Sequence, residues 1–123
     1  MRARKSLESA AMLAEDDPDA AASRAYYAAF YAVSGLLAEE GHSFRKHSAV
    51  ETAVHRDLVR TGRWTLELGE MYSRLQARRV TGDYGGELHV SSEQAAEAVA
   101  AARRILEEVL KLLPPHDQES QSV

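Results

Sequence analysis

The sequence contains no cysteine, only three prolines, and no apolar run of the roughly 18 residues that a membrane-spanning helix needs. The absence of thiols excludes a disulfide framework and thiolate chemistry, and it fits a reducing compartment. The basic residues Arg2, Arg4 and Lys5 are followed by hydroxyl and acidic residues, not by the apolar core of a signal peptide. We therefore expect a cytoplasmic protein that is neither exported nor held in a membrane.

Charge is unevenly distributed along the 123 residues, which are enough for one domain with a substantial core. The net charge of −4 argues against a general DNA-coating protein. Between Arg45 and Arg79, however, there are eight basic residues and four acidic ones. This positive centre is either an ordinary solvated helix surface or a patch that attracts phosphate groups.

Apolar residues recur every three to four positions along the chain, and no segment alternates as a strand does. The pattern predicts an all-α fold, an antiparallel bundle of four long helices plus a shorter one. We expect residues 1–113 to form this bundle. The polar residues 114–123, which begin with two prolines, are predicted to be a disordered C-terminal tail.

Capping residues set the expected helix boundaries. Asp17 and Pro18 are typical of a helix start, and Gly41 is typical of a left-handed helix end. Ser91, with a glutamine three residues later, predicts a capping box, whereas Gly82 is expected to open a loop. The second helix should be the most buried, because apolar residues cover more than half of its circumference. The expected helices are residues 3–15, 18–40, 47–61, 66–81 and 92–113.

Four aromatic residues lie among alanines in the second predicted helix. Tyr26 and Phe30 are four residues apart, as are Tyr27 and Tyr31, so the four form two neighbouring ridges. Small alanines beside them allow a second helix to approach closely. Tyrosines in such positions are more often core residues with satisfied hydroxyls than platforms for base stacking. Arg24, seven residues before Tyr31, is expected to line the same cavity.

The end of the fourth predicted helix carries a second group of polar residues. Arg78 continues the apolar rhythm of that helix and therefore points toward the core. Arg79 and Asp83 are four residues apart, which predicts an ion pair at the lip of a groove that contains Tyr84 and Arg78. Such a pair is either an ordinary helix-end ion pair or the organiser of a phosphate-binding groove.

Metal binding is not expected from the histidines. His47, Glu51 and His55 are spaced by four residues, but the chain has neither a Glu-x-x-His pair of the ferritin type nor a cysteine ligand. We expect His47 to stand at a helix start and to bond the backbone or a tyrosine hydroxyl. No cofactor is expected, and the Gly-rich segment 82–86 follows a helix, so it lacks the geometry of a phosphate loop.

The aromatic helix, the turn at His47-Ser48 and the ending Arg79-x3-Asp83-Tyr84 together resemble the HEPN domain, named for nucleotide binding in higher eukaryotes and prokaryotes. The resemblance runs from about Leu7 to Leu113 and is greatest to the small stand-alone prokaryotic branch. It implies a helical domain that binds nucleotide or RNA and works with a small nucleotidyltransferase in a toxin–antitoxin-like pair. The candidate binding residues are Arg24, Tyr31, His47, Arg78, Arg79, Asp83 and Tyr84.

One departure from the family pattern bears on activity. Catalytic HEPN domains carry an arginine, four to six residues, and then a histidine, a pair thought to cleave RNA without metal at a dimer interface. Here Arg78-x4 leads to Asp83, and none of the five histidines follows an arginine at that spacing. A carboxylate is a weak base near neutral pH and repels phosphate. We therefore favour a binding subunit over its alternatives, a metal-independent endoribonuclease and a structural helical adaptor.

The sequence also predicts a homodimer. The second and fourth predicted helices carry more apolar and arginine-bearing surface than a small bundle covers on all sides. The same feature fits the expectation, drawn from the resemblance, that HEPN domains act as dimers.

Overall fold

A computed structural model describes residues 2–114, which contain five α-helices and no strand. The all-α prediction is therefore confirmed, while the predicted tail lies almost wholly outside the described residues. None of these helices combines the length and the apolar character that a membrane crossing requires. In chain order the helices are α1 (Arg2–Leu13), α2 (Pro18–Glu39), α3 (His47–Ala53), α4 (Leu66–Tyr84) and α5 (Ser92–Leu112).

The central element is α2, as its apolar circumference predicts. It packs against α1, α4 and α5. Most of its buried residues are alanines, which hold neighbouring helices close to its axis, and Tyr26 adds a large side chain with no exposed surface. Large apolar side chains that remain exposed lie elsewhere, on α1, α4 and the loop before α5, and they are Met12, Leu66, Val80, Tyr84 and Leu88. Tyr27, Phe30 and Tyr31 of α2 stay partly exposed, so the homodimer expected from α2 and α4 stays a prediction.

The capping residues act as predicted. The Asp17 side chain accepts a hydrogen bond from the Ala20 N–H at 3.2 Å, and Ser91 and Gln94 form a reciprocal capping box at the start of α5. Gly41, just after α2, has a φ of +87°, which only glycine adopts without strain. These residues fix both ends of α2, which carries the four aromatic residues, and the start of α5.

The second half of the third predicted helix differs from a regular α-helix. After Ala53 the chain continues as a π-helical segment, Val54–Val59, before it reaches Gly62. Val54 and Leu58 on this segment are buried in the core. A π-helical turn is wider than an α-helical one and is common near functional sites, and the apolar spacing of the sequence does not distinguish the two.

The predicted loop opening at Gly82 is wrong, because α4 continues through Gly82 to Tyr84. A Cβ atom on Gly82 would lie 2.6 Å from the backbone oxygen of Asp19 on α2. Glycine is needed here for the close approach of two helices and not for a turn. The end of α4 therefore meets the start of α2, so the two helices run antiparallel and bring Asp83 and Tyr84 toward the aromatic cluster.

Candidate functional site

The site is built on the aromatic cluster of α2, defined here as Tyr26, Tyr27, Phe30 and Tyr31. Neighbouring ring centroids within it lie 5.3 to 6.2 Å apart. Tyr26 is fully buried, and the other three are half-buried. Burial raises the pKa of Tyr26 to about 12, so its hydroxyl stays protonated at neutral pH. The inner side of the cluster is core, and its outer side is accessible.

Arg79 lies over this cluster from α4. Its guanidinium carbon is 5.5 Å from the ring centroid of Tyr27, 5.8 Å from that of Tyr26 and 5.4 Å from that of Tyr84. These distances allow cation–π attraction, and Nη2 also donates a hydrogen bond to the Tyr27 hydroxyl at 3.0 Å. The side chain keeps 15% of its surface exposed. The arginine is therefore held firmly but still reaches solvent.

The predicted ion pair between Arg79 and Asp83 is present, with Nε and Oδ2 3.1 Å apart. The Nε–H is buried but not aligned on that oxygen, so the contact is electrostatic and not a full hydrogen bond. Ser23 on α2 donates a long hydrogen bond of 3.4 Å to the same carboxylate oxygen. Burial tends to lower the pKa of Arg79, but Tyr27, Tyr84 and Asp83 outweigh it and raise the pKa, which keeps the charge in place.

His47 begins α3 and packs onto the same cluster, although it is far away in sequence. Its Nδ1 lies 2.7 Å from the Tyr26 hydroxyl, and its ring stacks on Phe30 with centroids 4.5 Å apart. Burial and the positive charge of Arg79 lower the pKa of His47, which favours a neutral imidazole. The expected bond to a tyrosine hydroxyl is therefore present.

The other members of the histidine spacing do not join His47. His55 Nε2 lies 2.9 Å from the Ser73 hydroxyl of α4, a different partner on a different helix. Across residues 2–114, no group of three or more histidine, aspartate and glutamate side chains is placed to hold a metal ion. His47 and His55 thus make separate hydrogen bonds, with Tyr26 and with Ser73, and do not form one site.

Arg24 and Tyr31 line one shallow pocket of about 280 Å³, as their shared helix face predicts. Ser6 of α1 contributes to its wall, and Arg2 lies 5.2 Å from the ring centroid of Tyr31. Tyr27 also lines this pocket and bonds Arg79, which connects the pocket to the ion pair. Sequence reasoning missed Arg2 and Ser6. Their four-residue spacing marks one face of α1, but only packing shows which helix that face meets.

Arg78 does not share the groove with Tyr84, contrary to the sequence expectation. It lines a small cleft between α4 and α5 together with Arg74 and Glu97. The reason is helical geometry, because adjacent residues point about 100° apart around the axis. Arg79 therefore faces α2, while Arg78 faces α5. Tyr84 is 71% exposed and lies beside Arg79 at the outer edge of the site.

Comparisons with known proteins agree with this architecture. The HEPN domain family model matches residues 1–112. A UPF0332 protein of Thermotoga maritima is 40% identical over 91% of this chain and 86% of its own length. A UPF0332 protein of Gloeobacter violaceus is 31% identical over 91% of this chain and 90% of that relative. A protein of Methanocaldococcus jannaschii named as a candidate toxin is 33% identical over 76% of this chain and 65% of its own length. The chain belongs to the HEPN domain family.

Proposed function

We propose that this protein is a nucleotide- or RNA-binding HEPN subunit of a toxin–antitoxin-like pair. The observation that carries the proposal is the placement of Arg79, a guanidinium anchored by Tyr27 and Asp83 and still partly exposed beside Tyr84. A fixed guanidinium suits phosphate oxygens, because its planar donors match their geometry. An adjoining exposed aromatic ring gives a base a face to stack on.

The shallow pocket next to Arg79 extends this surface. It adds the guanidinium of Arg24 and the hydroxyls of Ser6 and Ser23, and Arg2 lies beside it over Tyr31. Hydroxyl and guanidinium donors are common partners of phosphate and ribose oxygens. Asp83 is the only acidic side chain in direct contact with Arg79 among the described residues. It orients the arginine and at the same time repels an incoming phosphate.

The proposed partner is a small nucleotidyltransferase. Two findings support a toxin–antitoxin-like role, namely membership of the HEPN family and a relative named as a candidate toxin. The nucleotidyltransferase itself is proposed from the resemblance to the stand-alone prokaryotic branch. Purification of the natural complex from the source cells, followed by identification of the bound chain, tests this part separately.

Binding is tested by titrating salt against a fluorescent single-stranded RNA and a labelled nucleotide. Affinity should fall with added salt, because bound counterions are released when arginines meet phosphates. Arg79→Ala should weaken binding and reduce the salt slope by about one, whereas Asp83→Asn should preserve or improve it. Arg60→Ala, a change to an exposed arginine outside the site, is the matched control. Equal loss of affinity in Arg60→Ala and Arg79→Ala would contradict a specific site.

Metal-independent cleavage of RNA is the second candidate function, and the position of His47 favours it. The fold places an imidazole with a lowered pKa on the same tyrosines that hold Arg79, although the family's sequence spacing is missing. An RNA cleavage gel in the presence of a metal chelator distinguishes the two functions. Cleavage lost in His47→Asn or Asp83→Asn, with binding retained, would make the protein an enzyme. Absence of both binding and cleavage would leave the structural adaptor.

A further inference from the structure

Two adjoining cavities form one trough along the seam between α1 and α5. The larger cavity encloses about 650 Å³ and the smaller about 460 Å³, and Ala11 and Met12 line both of them. Each of the two helices packs mainly on α2 and only sparsely on the other. Between them α2 contributes the small side chain of Ala32 to the larger cavity. The seam between α1 and α5 therefore stays open.

The walls of this α1–α5 trough include apolar side chains that the domain leaves uncovered. Leu7, Leu106 and Leu110 are half-buried. Met12 is 82% exposed, the largest fraction among the exposed large apolar side chains of residues 2–114. Contiguous apolar surface of this kind is typical of an interaction site. A groove between two helices is a surface into which an amphipathic helix can lay its apolar face.

The length of the trough suits such a helix. Along α5 the trough extends from Ser92 to Leu110, which is about 27 Å at the rise of an α-helix. A partner helix of about 18 residues, or five turns, covers this distance.

The charge of the trough is acidic and is concentrated at one end. Two basic and five acidic residues line the two cavities, and they are Arg4, Glu8, Glu15, Asp16, Glu93, Arg103 and Glu107. All seven are exposed, and none of them takes part in an ion pair within residues 2–114. The smaller cavity, where α1 ends and α5 begins, has three of the acids and no base. The two helix dipoles oppose each other there, so the side chains determine the sign of the charge.

We propose that the α1–α5 trough is the docking surface for an amphipathic, positively charged helix of a partner protein. The apolar stripe of that helix packs between the leucines of α1 and α5 and covers Met12. Lysine or arginine side chains at one end of it lie over Glu15, Asp16 and Glu93. Burial of the apolar walls supplies the affinity, and the acidic end sets the orientation of the bound helix.

The charge of the trough favours this occupant over three others. A second copy of the chain would bring the same excess of acidic residues against the first, so the two would repel each other. RNA and anionic lipid would bring phosphate groups to an acidic surface. The trough shares no lining residue with the pocket beside Arg79, so the proposal does not depend on nucleotide or RNA binding there.

Fluorescence anisotropy with a labelled synthetic peptide of about 18 residues tests the proposal. The probe has leucines every three to four positions and lysines elsewhere, most of them in its last two turns. It should bind with saturation. A peptide of the same composition in scrambled order, and one with glutamate in place of every lysine, should each bind at least about tenfold more weakly. No saturation by the lysine peptide up to about 1 mM, or equal affinity for the glutamate peptide, would overturn the proposal.

Variants of the protein locate the bound peptide. Met12→Gln removes apolar surface and should weaken binding about tenfold, whereas Leu88→Gln, at an exposed leucine outside the trough, should not. Glu15→Lys should weaken binding about threefold, and added salt should reduce this difference. Glu70→Lys, at an exposed acid of α4, is the matched control. Peptide affinity that is unchanged in both Met12→Gln and Glu15→Lys would also overturn the proposal, and circular dichroism melts exclude unfolding as the cause of any loss.

The same variants distinguish the other occupants. Self-association in sedimentation equilibrium that Met12→Gln abolishes would assign the trough to a second copy. Co-sedimentation with phosphatidylserine vesicles that Met12→Gln abolishes would assign it to a membrane surface. Either result would overturn the proposal. The salt titration of RNA binding with Arg79→Ala is independent of all these measurements, so the two proposals can fail separately.

Discussion

At the scale of single residues, Arg79 shows how a partly buried charge is stabilised and kept accessible. A guanidinium near a core must find partners, because an unpaired buried charge is costly. Here Arg79 donates a hydrogen bond to the Tyr27 hydroxyl, pairs with the Asp83 carboxylate and lies over three aromatic rings. Because these partners fix the side chain before any ligand arrives, binding would require little further loss of side-chain entropy.

His47 leads to a prediction about pH. Its folded-state pKa lies below the usual value of 6.5, because burial and Arg79 disfavour the charged imidazole. A lowered pKa contributes stability that is complete above the unfolded value and is lost as pH falls through the folded one. Urea unfolding of the wild type should therefore show decreasing stability from pH 7 to pH 5. The non-titrating variant His47→Asn, which can still accept a bond from Tyr26, should show a flatter profile.

The control for this experiment is His42→Asn, which replaces an exposed histidine outside the cluster. Its pH profile should parallel that of the wild type. If His47→Asn keeps the full pH slope, then the imidazole is not held in its neutral form by the groups that face it, which are Tyr26, Tyr27 and Arg79.

At the scale of helices, the contact between the end of α4 and the start of α2 depends on glycine. In Gly82→Ala the new methyl group would meet the Asp19 backbone, which cannot rotate away as a side chain can. We expect a loss of about 1–3 kcal/mol in the free energy of unfolding. Gly35→Ala is the matched control, because no atom lies within 4 Å of its added Cβ and it is in the interior of α2.

Gly35→Ala should raise the free energy of unfolding by about 0.5–1 kcal/mol, since alanine loses less backbone entropy on folding into a helix. Urea denaturation of both variants should show a decrease in the free energy of unfolding for Gly82→Ala and an increase for Gly35→Ala. Equal effects at the two positions would show that the α2–α4 contact is looser than the close approach at Gly82 indicates.

The connection between α4 and α5 is held by Asp19 at the start of α2. Its carboxylate accepts the Val90 N–H at 2.7 Å and lies 2.8 Å from Nδ1 of His89. The Val90 backbone bond, together with His89, lowers the pKa of Asp19 below 3.8. The stability that the Asp19 carboxylate contributes is complete above its ordinary pKa of 3.8. It is lost as the pH falls through the lower pKa of the folded state.

Asp19→Ala should therefore destabilise the protein by about 1–2 kcal/mol at neutral pH, and the difference from the wild type should shrink in strong acid. Thermal unfolding from pH 7 to pH 2 measures this difference. Asp16→Ala, a change to an exposed acid in the preceding turn, should leave stability nearly unchanged. A difference that persists at pH 2 would show that the charge of Asp19 is not what holds the loop.

Sequence patterns predicted the parts of this fold that depend on local spacing. The caps at Asp17 and Ser91, the bundle, and the four-residue pair of Arg79 and Asp83 all follow from helical periodicity. Where tertiary packing decides, the patterns failed. Gly82 is at a helix contact and not in a loop, and Arg78 faces a different helix from Arg79. The contribution of Arg2 and Ser6 to the pocket beside Tyr31 was not predicted either, because no sequence spacing shows that α1 packs there.

At the scale of the whole molecule, the positive centre of the sequence is divided among several surfaces. Arg79 faces the aromatic cluster, Arg74 and Arg78 line the α4–α5 cleft, and Arg63 pairs with Glu40. The excess of basic residues in this segment therefore does not form one continuous patch. The proposed phosphate binding is therefore assigned to the Arg79 site and its pocket, where arginines from α1, α2 and α4 come together.

This division predicts how a ligand should change the stability of the molecule. A ligand that binds only the folded state at 100 times its dissociation constant adds about 2.7 kcal/mol, on the order of 10 °C in melting temperature for a domain of this size. In a thermal-shift panel of mono-, di- and trinucleotides, the nucleotide bound at the Arg79 site should give such an increase. Arg79→Ala should remove the increase, whereas Arg74→Ala, which alters the α4–α5 cleft, should retain it. If Arg79→Ala showed the same increase in melting temperature as the wild type, the ligand would bind without Arg79 and therefore outside the Arg79 site.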